Sequence, residues 1–131
     1  MKLILLISIF VVAIASKKIP DNIRDDFEKI IEKVKPKCIE ETKVELPRLE
    51  KMLKELDFSD DQPLKCYWRC LHTKANIYKT DGSYDTEVIV KKFKFITKDL
   101  AEKCAEMTKA EMNKCDESFK YTLCIIGDLV V

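Results

Sequence analysis

Residues 63–78 read PLKCYWRCLHTKANIY and carry two apolar stripes at once. Leu64, Trp68, Leu71, Ala75 and Tyr78 recur at helical steps along one face, and Cys66, Cys70 and Ile77 fall on a face roughly opposite. A helix engaged on both sides belongs in the middle of a bundle. Cys66 and Cys70 lie four apart on it, where a bridge between them would strain the disulfide dihedral, so each is expected to reach a different partner.

Working outward toward the N-terminus, Leu49, Met52, Leu53 and Leu56 mark a preceding helix, with Pro47 suited to its first turn. Before that, Ile23, Phe27, Ile30, Ile31 and Val34 recur at helical spacing, and Pro36 is expected to end the run just ahead of Cys38. Toward the C-terminus, Lys79 to Ser83 reads as a turn in which Gly82 supplies the permissive backbone. Residues 88–96, VIVKKFKFI, suit a strand as well as a short helix; with no second strand to pair with, helix is the reading adopted. Leu100, Cys104 and Met107 mark a fifth helix. Thr108 to Glu111 has the capping-box pattern for a sixth, which carries Met112, Cys115, Phe119, Leu123 and Ile126 and is expected to stop at Gly127.

Composition agrees with helices and short connections, because the whole chain of 131 residues has 2 glycines and 4 prolines. Residues 1–16, MKLILLISIFVVAIAS, read as a secretory leader: one charge at Lys2, an apolar run from Leu3 to Ala15, and small residues that place cleavage after Ala15 or Ser16. The run is well short of the roughly 20 residues a spanning helix needs. Residues 17–131 are then expected to be a single helical domain, secreted and extracellular, and no Asn-x-Ser/Thr acceptor occurs in the chain. Lys and Arg total 24 against 23 acids, and loss of Lys2 with the leader makes the two equal, which argues against nucleic acid as a partner.

Six cysteines at 38, 66, 70, 104, 115 and 124 in a secreted chain of this size read as three disulfides. Cys115 and Cys124 would stand roughly 13 Å apart along one straight helix and cannot join each other. Several pairings survive, and in all of them the central helix is tied to two other segments. A shell stapled in this way can hold a hollow that a packed core of the same size would not tolerate, since a dry void costs about 24 cal/mol per Å³.

In chain order the gaps between cysteines are 27, 3, 33, 10 and 8 residues. Together with Cys66-Tyr-Trp-Arg-Cys70, the Thr-Asp-Gly turn and the short apolar tail, this spacing resembles that of insect odorant-binding and pheromone-binding proteins over the whole mature chain. The 33-residue gap is a little shorter than is usual there, a departure that falls on the fourth helix. The resemblance implies the pairs Cys38–Cys70, Cys66–Cys115 and Cys104–Cys124, and an all-α, six-helix, disulfide-stapled bundle around an internal apolar cavity. It implies a carrier that solubilises a small hydrophobic odorant, pheromone or lipid-like molecule, with a membrane odorant receptor or a second copy of the chain as further partners.

Candidate ligand-binding residues on the inward faces are Leu53, Leu56, Trp68, Leu71, Ala75, Ile89, Phe93, Leu100, Met107, Met112, Phe119 and Leu123. For each alone, ordinary core packing is the competing reading; as a set, methionines and aromatics make an adaptable wall. At about 0.3 to 0.5 kcal/mol per heavy atom, a ligand of about 16 atoms would bind with roughly −5 to −8 kcal/mol, which is micromolar. The tail Asp128 to Val131 could fold over the pocket mouth, with the Val131 carboxylate accepting a hydrogen bond from Tyr78 or Tyr121 so that acid loosens the lid.

His72, the one histidine, reads as a surface position on its helix, and a zinc site with Cys66 and Cys70 is not expected because those thiols are needed for bridges. No metal, cofactor or catalytic residue is expected. A secreted phospholipase would need a His-Asp pair and a glycine-rich calcium loop, yet Thr73 follows His72 and the glycines are Gly82 and Gly127. The alternative to a carrier is a secreted helical signalling or venom-type interaction protein, with a filled interior and an exposed apolar patch.

Overall fold

The computed structural model describes residues 17–131; the expected leader at 1–16 and its cleavage site lie outside the described residues. Seven helices follow in order: α1 Asp21–Ile31, α2 Lys35–Thr42, α3 Leu46–Glu55, α4 Gln62–Lys74, α5 Thr86–Lys92, α6 Lys98–Thr108 and α7 Lys114–Leu129. No strand occurs among the described residues, and the β-type pairing there is an isolated bridge between Tyr78 and Tyr84.

The count is seven, not six, because of Pro36. Inside a continuous helix its ring would clash with the carbonyl four residues back, so α1 ends at Ile31 and a turn spans 32–34. Proline is tolerated in a first turn, however, and Pro36 helps to open α2 where the expectation had it close α1. Pro47 and Pro63 stand in the first turns of α3 and α4.

Side-chain caps fix four helix starts: Asp61, Asp85, Thr97 and Asn113 each accept from the backbone N–H three residues on. Asn113 therefore starts α7, and the capping box expected at Thr108 does not form. Thr108 is still inside α6, buried, with its hydroxyl donating to Cys104 O at 2.8 Å. Gly127 does not stop α7, which continues to Leu129. The cost of a helical glycine is about 1 kcal/mol, and burial of Ile125 and Ile126 just before it outweighs that.

Helix α4 ends earlier than its apolar pattern, at Lys74. Asn76 takes a left-handed φ of 57°, Asn76 N–H donates to Thr73 O and Ile77 N–H to His72 O, which closes the helix and turns the chain. The following loop turns at Gly82, whose φ is 87°, and lays Tyr84 beside Tyr78 with ring centroids 4.7 Å apart. Of the stretch 88–96, for which helix was expected, residues 88–92 are helical as part of α5, which starts at Thr86, and the chain leaves the helix at Phe93 so that 93–96 lie outside it.

Helices α4 and α7 form the central pair, and α6 packs on α7. Bridges join Cys38 to Cys70, Cys66 to Cys115 and Cys104 to Cys124, so α4 is tied to α2 and α7, and α6 to α7. These are the pairs implied by the resemblance, and they occupy both thiols that a zinc site would have required. The buried side chains form two clusters. One gathers Leu49, Met52, Leu64, Trp68, Leu71 and Phe119; the other gathers Ile77, Ile89, Phe93, Leu100, Tyr121 and Ile125.

Candidate functional site

Between the two clusters lies a cavity of about 90 Å³. Phe27 of α1 packs against both clusters and borders the hollow, with its ring stacked on Trp68 at 5.8 Å and tilted against Phe93 at 6.2 Å. The wall is built from Ile19 before α1, Ile23, Arg24, Phe27 and Ile31 of α1, and Leu53 of α3. Trp68, Leu71, His72 and Ala75 come from α4, with Ile77 just after it. Ile89, Phe93, Phe95 and Ile96 come from α5 and the segment following, and Tyr121, Thr122, Ile125, Ile126 and Leu129 from α7. Arg24 and Leu53 also border a second, charged cleft of about 210 Å³ between α1 and α3.

Six of the candidate residues reach this wall: Leu53, Trp68, Leu71, Ala75, Ile89 and Phe93. The others sit elsewhere. Leu56 takes the left-handed position that ends α3, where it packs on the first cluster. Leu100 and Phe119 are buried inside the two clusters away from the hollow, and Leu123 packs on the first from the side. Met107 and Met112 are 68% and 92% exposed, because the outer face of α6 and the loop before α7 look to solvent. The wall is therefore aromatic and β-branched, without the methionines expected in it.

Residues that sequence reasoning passed over carry much of the site. Ile23, Phe27 and Ile31 repeat every four residues, so their shared face was readable, although nothing in the pattern says that the face borders a void. His72 follows Trp68 by four and precedes Ala75 by three, which places it on the inward stripe; the expectation of a surface position was wrong.

The His72 ring is enclosed by Trp68, Tyr78, Tyr84 and Tyr121, with centroids between 5.6 and 6.2 Å away. It keeps some accessible surface because one side borders the hollow. Burial, with a smaller push from the Arg69 guanidinium, lowers its pKa from the usual 6.5 to about 3, so the imidazole is neutral at physiological pH. Nδ1 is 2.8 Å from Tyr84 Oη, and Nε2 is 3.3 Å from Thr122 Oγ1. Tyr78 Oη stands 3.2 Å from Tyr84 Oη and 2.7 Å from Ser118 Oγ, so the polar groups at this end of the cavity satisfy one another. Burial likewise pushes the Tyr84 and Tyr121 phenols well above their ordinary range.

The tail does not make the tyrosine contact expected of it. Tyr121 donates to Ala101 O, and Tyr78 is engaged in the network around His72. Instead Val131 exchanges two backbone hydrogen bonds with Lys18, at 3.0 and 3.1 Å, while its side chain is 73% exposed. Leu129 borders the cavity and Val130 packs on the first cluster.

The PBP/GOBP family matches residues 21–127, from the first residue of α1 into the last turns of α7. The fold is similar to the solved structure of Apis mellifera odorant binding protein 5, with a TM-score of 0.59 and 20% identity, covering 79% of this chain and 89% of that chain. At that identity the likeness speaks for the fold alone. No curated protein matches the sequence.

Proposed function

Because the chain belongs to the PBP/GOBP family, we propose that it is a secreted carrier which takes up a small hydrophobic molecule in the hollow between α1, α4, α5 and α7 and transports it in aqueous fluid. The observation that carries this reading is the apolar cavity itself, bordered by side chains from five helices and sitting between two core clusters. The family is one of binding proteins, and the imidazole at the site has both nitrogens hydrogen-bonded to other residues of the fold.

Cavity size bears on the ligand. A void of about 150 Å³ takes benzene, so about 90 Å³ suits a guest of a few heavy atoms unless the wall moves. A guest of about 16 atoms requires the side chains of Phe27, Phe93 and Leu53 to shift outward. The first expectation is therefore that short ligands bind at once and longer ones bind with an added slow phase, both at micromolar strength.

Displacement of a fluorescent probe from the purified, oxidised protein tests the proposal. Saturable binding near one probe per chain, weakened at least about tenfold by Ala75→Leu, which fills the hollow, supports the carrier. Absence of saturable binding in the unaltered protein supports the signalling alternative. Export belongs to the same proposal and is tested by N-terminal sequencing of the secreted product, which is expected to begin at Ser16 or Lys17. Delivery to a membrane receptor, or pairing with a second copy, completes the role.

A further inference from the structure

The polar atoms of the cavity wall gather where α4 faces α7. Arg24 and Tyr121 also border the hollow, but the Arg24 guanidinium is engaged with Asp21 at 3.1 Å and the Tyr121 hydroxyl donates to Ala101 O. His72 and Thr122 are different, since both residues line the cavity and His72 Nε2 stands 3.3 Å from Thr122 Oγ1.

The protons in this corner can be placed by counting donors. Thr122 has one hydroxyl hydrogen and donates it to Ser118 O at 2.9 Å, so in its contact with His72 the donor is Nε2–H. A neutral imidazole then has a bare Nδ1, which accepts from the Tyr84 hydroxyl. Tyr84 Oη accepts from Tyr78, and Tyr78 Oη accepts from Ser118 Oγ. All these hydrogens run in one direction, and the Nε2–H of His72 is the one shared with Thr122, a second residue of the cavity wall. Its bond to Thr122 is long for an N–H donor, where about 2.7 to 3.2 Å is usual.

Resting on the carrier role proposed above, the geometry points to a guest with one accepting carbonyl oxygen on an apolar chain, a ketone, aldehyde or ester, held by His72 Nε2–H in place of Thr122 Oγ1. A carboxylate is disfavoured, because a neutral imidazole gives a buried anion no counter-charge. An ammonium is disfavoured because Nδ1, the bare acceptor, is occupied by Tyr84. A pure hydrocarbon fits but leaves the donor on its long internal bond.

The test compares a methyl ketone bearing a pentyl chain with the alkene in which a methylene group replaces its carbonyl oxygen. The two share shape and volume, so their affinity ratio reads the hydrogen bond. The unaltered protein is expected to prefer the ketone roughly tenfold. His72→Phe is expected to bring the ratio to about one, whatever its effect on the affinity for either compound alone. Thr122→Val, which removes the competing acceptor, raises the ratio a few-fold. Equal affinity of the unaltered protein for both compounds, or a ratio that survives His72→Phe, overturns the carbonyl assignment while leaving the carrier role standing. Loss of the ratio in Thr122→Val also overturns it, because the donor would then be Thr122. Where His72→Phe does not fold, Thr122→Val decides alone by the direction of its change. Failure of the unaltered protein to bind either compound overturns the carrier role itself.

Discussion

Inside its cage of four aromatic rings, His72 is held neutral by burial, and that has a thermodynamic consequence. Its folded pKa of about 3 lies below the unfolded value of 6.5, so between those limits the unfolded chain binds a proton that the folded one does not. The stability contributed by the neutral imidazole is complete above about pH 6.5 and declines as pH falls, with a slope of at most about 1.4 kcal/mol per pH unit for one proton. Urea titrations of the unaltered protein and His72→Phe between pH 7 and pH 4 check this: the variant is expected to show the shallower acid slope, and equal slopes would refute the protonation argument. Exposed Met112 is a contrasting residue. Met112→Ser is expected to leave stability within about 0.5 kcal/mol and probe affinity unchanged, since that side chain is 92% exposed and outside the cavity wall.

At the scale of elements, α7 does most to shape the site, because it supplies five wall residues and carries two of the cysteines. Its continuation past Gly127 brings Leu129 to the cavity and lets Val131 pair with Lys18, so the two ends of the described chain close on each other beside Ile19 and Leu129 of the wall. Deleting Leu129–Val131 removes wall and clasp together. Probe affinity is expected to fall several-fold, and hydrogen exchange at the Lys18 amide, which donates to Val131 O, to become fast. Unchanged affinity in the truncated chain would count against any role of the tail in closing the hollow. The five-residue loop after Tyr78 has a comparable local effect, since its turn is what sets Tyr84 against His72.

For the molecule as a whole, the question is how a small bundle sustains a void. At about 24 cal/mol per Å³, a cavity of about 90 Å³ costs roughly 2 kcal/mol. The bridges close loops with sequence separations of 32, 49 and 20 residues, and chain entropy assigns each about 3 to 4 kcal/mol. One bridge is therefore enough to offset the hollow. Because stabilisation grows with loop length in this account, replacing Cys66 and Cys115 together by Ser is expected to cost about 4 kcal/mol, more than the same change at Cys104 and Cys124. Urea denaturation of the two double variants orders them, and the opposite ranking would mean that strain or residual structure, rather than loop closure, sets the contributions.

Helix class, the central position of α4 and the inward stripe through Trp68, Leu71 and Ala75 were determined by the sequence alone, because periodicity records which face of a helix avoids water. Cysteine spacing added the stapled bundle through its resemblance to a known family. Periodicity does not say whether an inward face meets another side chain or a gap, so Leu100 and Phe119 look the same in the chain as Ile89 and Phe93, although only the second pair borders the hollow. The split at Pro36 was invisible because one proline can close a helix or open the next, and the choice depends on where α2 must sit for Cys38 to reach Cys70. The polar corner was decided by tertiary structure alone: His72, Thr122, Tyr84 and Ser118 are joined by contacts across up to 50 positions of chain, and hydrogen bonds over such distances leave no period to read.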